Sequence, residues 1–248
     1  MTLLRAIVYF ALLMVTVLLY GTAVLVLYRF VPERYIDQIV QRWSQANAWL
    51  QKVICGLDVR VEGREHLAAA PCVLMVKHQS AWETITLHHH LPQRQAWVLK
   101  KSLLHIPILG WVLRIGSFIP IDRNAGRRAM LDLIRVGGDA LNAGRSVLIF
   151  PEGTRTAPGE RQKYNVGGAM LAQKTGYPVV PIAHNAGVYW ARRGLKKYPG
   201  TIQVRIGPPI TTTDKSTKEI LALTEAWIED TMQTLPTQRT APSASRIV

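Results

Sequence analysis

An uninterrupted apolar run over residues 7–27 constrains this chain more than any other feature, because its 21 residues include no charged side chain and an arginine lies close to each end. About 20 apolar residues in a helix are long enough to cross the hydrocarbon core of a bilayer. The alternative is a secretory signal peptide, since residues 21–23 are small enough for a cleavage site. The apolar run continues past that site. We therefore interpret it as an uncleaved membrane helix over residues 6–28.

A second helix, over residues 35–54, is predicted to follow. Its apolar side chains recur every three or four positions, which is the pattern of an amphipathic helix. They are Ile36, Ile39, Val40, Trp43, Ala46, Leu50, Val53 and Ile54. We expect residues 1–55 to form a two-helix membrane anchor that either spans the bilayer or enters one leaflet, since the pattern fits both arrangements.

Short β-prone runs and helical stretches alternate along residues 56–235. The strands are predicted near residues 57–62, 72–77, 95–99, 117–121, 146–150, 178–183 and 202–206. The helices are predicted near residues 80–91, 101–115, 126–143, 165–176 and 215–234. This alternation is typical of a layered α/β domain, here with a mixed central sheet. Residues 236–248, rich in Thr, Ser, Pro and Arg and without periodicity, are expected to form a flexible tail.

The chain is strongly basic, with 30 Lys and Arg against 16 Asp and Glu and a net charge of +14. Such a surplus attracts nucleic acid, an anionic membrane surface or phosphorylated small molecules. Charge alone does not choose among these three partners.

Several common kinds of site have no motif in this sequence. It contains no G-x-S-x-G, no Gly-Lys pair of a P-loop and no G-x-G, which argues against a serine hydrolase, an NTPase and a dehydrogenase. Cys55 and Cys72 form no C-x-x-C pair, and the three histidines at 88–90 would point in different directions on a helix. We therefore expect no metal site.

A polar segment, Lys77–Glu83, follows an apolar run that is predicted to be a strand. A strand that ends there places His78 in the turn before the next helix, where loops carry catalytic groups. Glu83 can reach His78 if it lies in the first helical turns. The carboxylate would then accept a hydrogen bond from one imidazole nitrogen and leave the other to take a proton. A surface or capping histidine is the alternative for His78 considered alone.

Three further segments also lie at or next to a predicted strand and contain residues that could belong to a site. Residues 116–123 end on an Asp-Arg pair, residues 150–156 read FPEGTRT, and residues 177–184 form an apolar strand that contains Pro181. Singly, each has an ordinary explanation as a loop charge or a strand-edge proline. Together and in this order, the four segments resemble the conserved blocks of the glycerolipid acyltransferase family, over roughly residues 57 to 210.

The resemblance implies that His78 is the general base and that Glu83, where the family has Asp, orients it. It implies that Pro181 shapes the fourth block's strand and the acyl-donor pocket. The acceptor's phosphate would be bound by Arg123, Glu152, Gly153, Thr154, Arg155 and one of Lys100 and Lys101. On physical grounds, Gly153–Arg155 supplies the guanidinium, hydroxyl and backbone donors that a phosphate needs. Glu152 carries a like charge, so we expect it to hold the loop or a neighbouring arginine.

The implied activity is that of an O-acyltransferase of phospholipid biosynthesis. It would transfer an acyl chain from acyl-CoA or acyl carrier protein to the sn-2 hydroxyl of 1-acylglycerol 3-phosphate (lysophosphatidate) and yield phosphatidate. Direct attack on an activated thioester needs no acyl-enzyme, and we expect no cofactor. Because both donors are cytosolic, the catalytic domain is expected to face the cytosol from the inner (cytoplasmic) membrane, in contact with membrane lipids.

Two other functions remain open at this point. One is an acyltransferase for another lysolipid, such as a lyso-ornithine lipid or another lysophospholipid. The other is a non-catalytic, basic, membrane-tethered protein that binds nucleic acid. The ordered motifs favour an acyltransferase, because positive charge does not require them, and we expect no nucleic-acid partner.

Overall fold

The computed structural model describes residues 1–67, 71–91, 94–122 and 125–239, and these contain a seven-stranded sheet. The strands are β1 Leu57–Glu62, β2 Val73–Val76, β3 Gln95–Lys100, β4 Phe118–Ile121, β5 Ser146–Ile149, β6 Val179–His184 and β7 Gly200–Ile206. Their order is β1-β7-β6-β2-β5-β3-β4. Neighbours run parallel except β6 and β7, which are antiparallel. The predicted α/β class and mixed sheet are confirmed.

Eight α-helices surround this sheet in the described residues. They are α1 Thr2–Leu27, α2 Glu33–Leu50, α3 His88–His90, α4 Leu109–Ile115, α5 Arg127–Asn142, α6 Gly167–Thr175, α7 Ala186–Tyr189 and α8 Thr217–Thr234. The single helix predicted over 101–115 is two pieces, a 3-10 helix Lys101–His105 and α4. Pro107 lies between them, and a proline inside a helix removes a backbone hydrogen bond.

Both faces of the sheet are covered, as a largely parallel sheet requires. In β2, Val73 and Met75 point into one hydrophobic cluster, which also contains residues of α5, α6 and α8. Leu74 and Val76 point into the other cluster, where they meet Trp82 and residues of α1 and α7. The continuous apolar run of β2 therefore reflects burial on both faces.

Helix α1 begins four residues before the predicted start at residue 6 and has two unlike sides. One side packs against the rest of the chain and buries Ala6, Tyr9, Leu13, Gly21 and Val24. The other side exposes Leu3, Leu4, Ile7, Val8, Phe10, Met14, Val15, Leu18, Leu19 and Val26. With 26 residues it is long and apolar enough to cross a membrane.

Helix α2 is tied to the sheet by ion pairs. Asp37 Oδ2 lies 2.9 Å from both Arg94 Nε and Arg145 Nη2, and Glu33 also pairs with both arginines. Arg94 and Arg145 directly precede β3 and β5. The acidic side chains on the polar face of this amphipathic helix are therefore paired with arginines at the amino-terminal edge of the sheet. The helix continues as a π-helical turn, Gln51–Cys55.

The chain beyond α8 is described as far as Arg239. Its first residues pack on the domain, because the Asn185 amide donates to the Pro236 carbonyl at 3.0 Å and the Arg239 guanidinium lies 3.6 Å from the centre of the Tyr198 ring. The rest of the predicted tail, residues 240–248, lies outside the described residues.

Candidate active site

The first and third sequence blocks meet at the carboxyl-terminal edge of the sheet. Strands β2 and β5 are parallel neighbours, so the loops that follow them lie side by side. The His78 backbone is bonded to the third block on both sides: its N–H donates to Glu152 Oε2 at 3.0 Å, and its carbonyl accepts from the Thr156 N–H at 2.8 Å. This edge of parallel strands is where α/β proteins commonly bind ligands.

His78 and Glu83 face each other, but the hydrogen bond expected between their side chains is not formed. Nδ1 of His78 lies 3.9 Å from Oε1 of Glu83, which is longer than a hydrogen bond. Catalytic hydrogen bonds are often long in ligand-free sites and shorten when substrate binds. The imidazole stacks on Phe150, with ring centres 3.9 Å apart, and the side chain is 12% exposed. The ring is therefore held in orientation while one edge remains accessible.

Glu83 is fully buried but well supplied with donors. Its carboxylate accepts from the Gln79 N–H at 2.7 Å and the Ser80 N–H at 2.8 Å, and His184 Nε2 lies 3.2 Å from Oε1. Burial alone would raise the pKa of Glu83, but the adjacent imidazoles of His184 and His78 hold it well below its usual range. Glu83 is therefore a carboxylate at neutral pH.

A buried ionic cluster supports the loop from behind. Lys77 Nζ lies 3.0 Å from Glu152 and 2.8 Å from Glu229 of α8, and the Tyr164 hydroxyl donates to Glu229 at 2.7 Å. Burial raises the pKa of Glu152, although the Lys77 ammonium opposes the shift. Glu152 is thus engaged with Lys77 and the His78 backbone, the contacts of a residue that holds the loop. Its partner is a lysine and not an arginine.

The third block turns sharply at Gly153, whose φ of +68° favours glycine. Thr154 and Arg155 follow and are half-buried. The Arg192 guanidinium, from the segment between α7 and β7, donates to the Thr154 hydroxyl at 3.0 Å. Arg192 belongs to none of the four sequence blocks, and only this long-range contact associates it with the third one.

The remaining basic residues lie farther along the same edge. Lys100 ends β3 and is exposed, whereas Lys101 lines a cavity of about 530 Å³ together with Asp122 and Arg128. Strands β4, β3 and β5 are parallel neighbours, so Lys101 and Asp122 follow strand ends at the edge that carries His78, whereas most of the rest of the lining comes from β4 and α5 and includes Asp132 and Arg135. Arg123 lies outside the described residues.

Strand β6 brings its last residue, His184, to the site. Pro181 lies in the middle of the strand, opposite Met75, and a Cβ at Gly207 would lie 2.8 Å from its Cγ. The structure does not bring Pro181 to His78 or Glu83. His184 contacts Glu83, and a histidine at the end of an otherwise apolar block was the signal that could have identified it.

The histidines at 88–90 form the short helix α3. Across the described parts of the chain, there is no group of three or more His, Cys, Asp or Glu side chains that could hold a metal ion.

Comparison with known proteins supports the fold and the motifs. Residues 58–185 match the acyltransferase family. A 1-acyl-sn-glycerol-3-phosphate acyltransferase of Pseudomonas aeruginosa is 40% identical over 92% of this chain and 90% of its own length. The enzyme of that name from Saccharomyces cerevisiae is 28% identical over 87% of this chain and 72% of its own.

A solved structure has the same fold. The crystal structure of the 1-acyl-sn-glycerophosphate acyltransferase PlsC from Thermotoga maritima superposes with a TM-score of 0.81 and 20% identity, covering 97% of this chain and 98% of that chain. At this identity the likeness speaks for the fold alone. Since the family match spans half of the chain and the Pseudomonas relative nearly all of it, this chain belongs to the acyltransferase family.

Proposed function

We propose that this protein transfers an acyl chain from a thioester donor to the sn-2 hydroxyl of lysophosphatidate. The observation that carries the proposal is His78 itself: its Nδ1 faces a buried carboxylate, its ring is stacked on Phe150, and its backbone is bonded to the block that contains Thr154 and Arg155. A base and a set of phosphate donors are thereby joined in one rigid unit. The relatives named above support the choice of acceptor.

His78 acts as the general base. Because Nδ1 faces Glu83, Nε2 is the nitrogen that takes the proton of the acceptor hydroxyl while the oxygen attacks the thioester carbonyl. The tetrahedral intermediate collapses, the carbon–sulfur bond breaks, and the imidazolium returns the proton to the departing thiolate. Glu83 orients the ring through Nδ1 and stabilises the imidazolium, and the 3.9 Å separation shortens in the substrate complex.

The acceptor's phosphate lies at the third block. A phosphate monoester is a dianion that gains charge-assisted hydrogen bonds from arginine forks. Arg155 and the Arg192–Thr154 pair lie beside the His78 loop and supply such donors. Lys101 adds a cation at the cavity next to β4. The phosphate anchors the acceptor, and the glycerol hydroxyl extends toward His78.

The acyl chain enters an apolar cavity of about 130 Å³ between α1, α2 and α4, which has room only for the part of the chain next to the thioester. Its lining includes Val17, Trp43, Val112 and Phe118, and also Thr84, the residue next to Glu83. A chain that lies there places its thioester near His78 and Glu83. The donor is acyl-CoA or acyl carrier protein.

Residues 1–55 anchor residues 56–235 to the inner membrane, with the catalytic domain in the cytosol. The outward side of α1 exposes many apolar side chains, and Trp49 near the end of α2 and Val53 in the π-helical turn expose further apolar area. Leu19→Asp, at a side chain that is 64% exposed, should weaken partition into vesicles, whereas Leu223→Asp on α8, 46% exposed, should not. Equal effects of the two changes would contradict the anchor.

An acceptor panel tests the proposed activity. Detergent-purified enzyme is given acyl-CoA, and separately acyl carrier protein loaded with the same chain, together with a panel of single-chain acceptors. The acceptors are lysophosphatidate, lysophosphatidylcholine, a lyso-ornithine lipid and the phosphate-free monoacylglycerol. Loss of one charge-assisted bond costs about 1.5–3 kcal/mol, so lysophosphatidate should exceed the others in kcat/KM by roughly ten- to a hundredfold. A preference for another acceptor would reject the assignment.

A further inference from the structure

His184 is the last residue of β6 and is fully buried beside the loop of residues 77–83. Strand β6 pairs with β2, and the Lys77 N–H donates to the Ile182 carbonyl at 2.9 Å, so the end of β6 lies against the start of the loop. His184 Nε2 lies 2.7 Å from the Lys77 carbonyl oxygen and 3.2 Å from Glu83 Oε1. One ring nitrogen thus faces two acceptors, one on each side of His78 in the sequence.

The other ring nitrogen fixes the tautomer of His184. The Ala186 N–H donates to Nδ1 at 3.2 Å, so Nδ1 presents its lone pair and the proton is on Nε2. That proton points toward the Lys77 carbonyl and the Glu83 carboxylate. Trp82, with its ring centre 5.6 Å away, packs beside the imidazole. The ring has a defined orientation and a defined donor.

We propose that His184 is a positioning residue for the His78–Glu83 dyad. This inference rests on the proposed function, because a positioning role requires that the dyad performs acyl transfer. His184 acts through two neighbours: it fixes the Lys77 peptide group, which leads into His78, and it fixes the Glu83 carboxylate, which orients the His78 ring. It does not itself contact the substrate.

Three substitutions separate the hydrogen bond from packing. His184→Phe keeps a ring but removes both nitrogens, so kcat should fall at least tenfold with KM within about twofold of the wild type. His184→Gln places its amide nitrogen near the position of Nε2 and should restore most of kcat. His184→Asn reaches only the position of Nδ1 and should behave like His184→Phe. Equal rates for the glutamine and asparagine variants would overturn the proposal, even if the phenylalanine variant does not fold.

A double-mutant cycle with Glu83→Gln tests whether His184 acts through Glu83. Because one of the two routes runs through Glu83, the loss in the double variant His184→Phe/Glu83→Gln should be clearly smaller than the product of the two single losses. Independent losses that multiply, or a normal kcat in His184→Phe, would overturn the proposal.

His78→Ala distinguishes failure of this inference from failure of the proposed function. If His78→Ala is inactive while the His184 variants are normal, only the role of His184 is wrong. If His78→Ala keeps its rate, the dyad mechanism fails, and the positioning role fails with it.

Discussion

The loop that carries the proposed base, residues 77–83, and the basic rim, which we define as Lys101, Thr154, Arg155 and Arg192, follow strands of the same sheet edge but differ in construction. In the loop, Lys77, Gln79, Ser80 and Glu83 are no more than 1% exposed, and each has a hydrogen-bonding or ionic partner. In the rim, Lys101 and Arg192 are exposed, and Thr154 and Arg155 are half-buried.

This difference separates two tasks. A general base needs its geometry before the substrate arrives, because a misplaced proton acceptor loses rate steeply. Phosphate-binding cations can remain hydrated until the dianion replaces their water. We therefore expect changes in the loop to affect the rate with every acceptor, and changes in the rim to affect only acceptors that carry a phosphate monoester.

The largest effect should come from His78→Ala. General-base catalysis contributes about 10²- to 10⁴-fold, so kcat should fall by that factor with all acceptors while the fold is retained. Steady-state acyl transfer and circular dichroism measure the two quantities. The matched control is His105→Ala, at an exposed histidine, which should be active. A His78→Ala enzyme with near-normal kcat would contradict the mechanism.

Lys77→Met should destabilise the protein. It leaves Glu152 and Glu229 without their cation in a buried site, and breaking a buried ion pair costs about 3–5 kcal/mol. In thermal unfolding this corresponds to a Tm lower by roughly 6–20 °C. The control is Lys52→Met, which removes an ion pair to Asp58 whose side chains are 63% and 50% exposed and should change stability by less than about 1 kcal/mol. Similar Tm values for the two variants would show that the loop is not supported by this cluster.

The smallest effect should distinguish the two adjacent lysines. Lys101 lines the cavity beside β4, so Lys101→Ala should raise KM for lysophosphatidate several-fold, because an exposed ion pair contributes about 1 kcal/mol or less. Lys100→Ala, the matched control at the end of β3, should leave KM unchanged. The reverse result would place Lys100 at the phosphate.

The sequence predicted the strands well, because alternation of short apolar runs and turns is a local property. It also indicated that Glu83 can approach His78 if a strand-to-helix turn lies between them, because a spacing of five positions depends on local geometry, but it did not predict the 3.9 Å separation of the two side chains. It did not predict that Glu229, 152 positions from Lys77, completes the ionic cluster, or that His184, 107 positions away, contacts the same residue's carbonyl. Those contacts depend on the packing of α8 and on β6 lying next to β2, which sequence spacing does not encode.

The predicted membrane helix illustrates the same limit. The sequence shows that the helix is apolar. It does not show that Tyr9 is buried against Trp190, which is distant in the sequence, because an apolar helix has no polar face that distinguishes its packed side from its exposed side. Pro107 could have indicated the break between Lys101–His105 and α4, but a single helix over 101–115 was predicted.

The most direct test compares His78→Ala and Arg155→Ala with two acceptors, lysophosphatidate and the monoacylglycerol of the same chain. His78→Ala should lower kcat/KM by the same factor with both acceptors. Arg155→Ala should lower kcat/KM roughly ten- to a hundredfold with lysophosphatidate and hardly at all with the monoacylglycerol. An Arg155→Ala loss that is equal for both acceptors would contradict the separation of base and phosphate site.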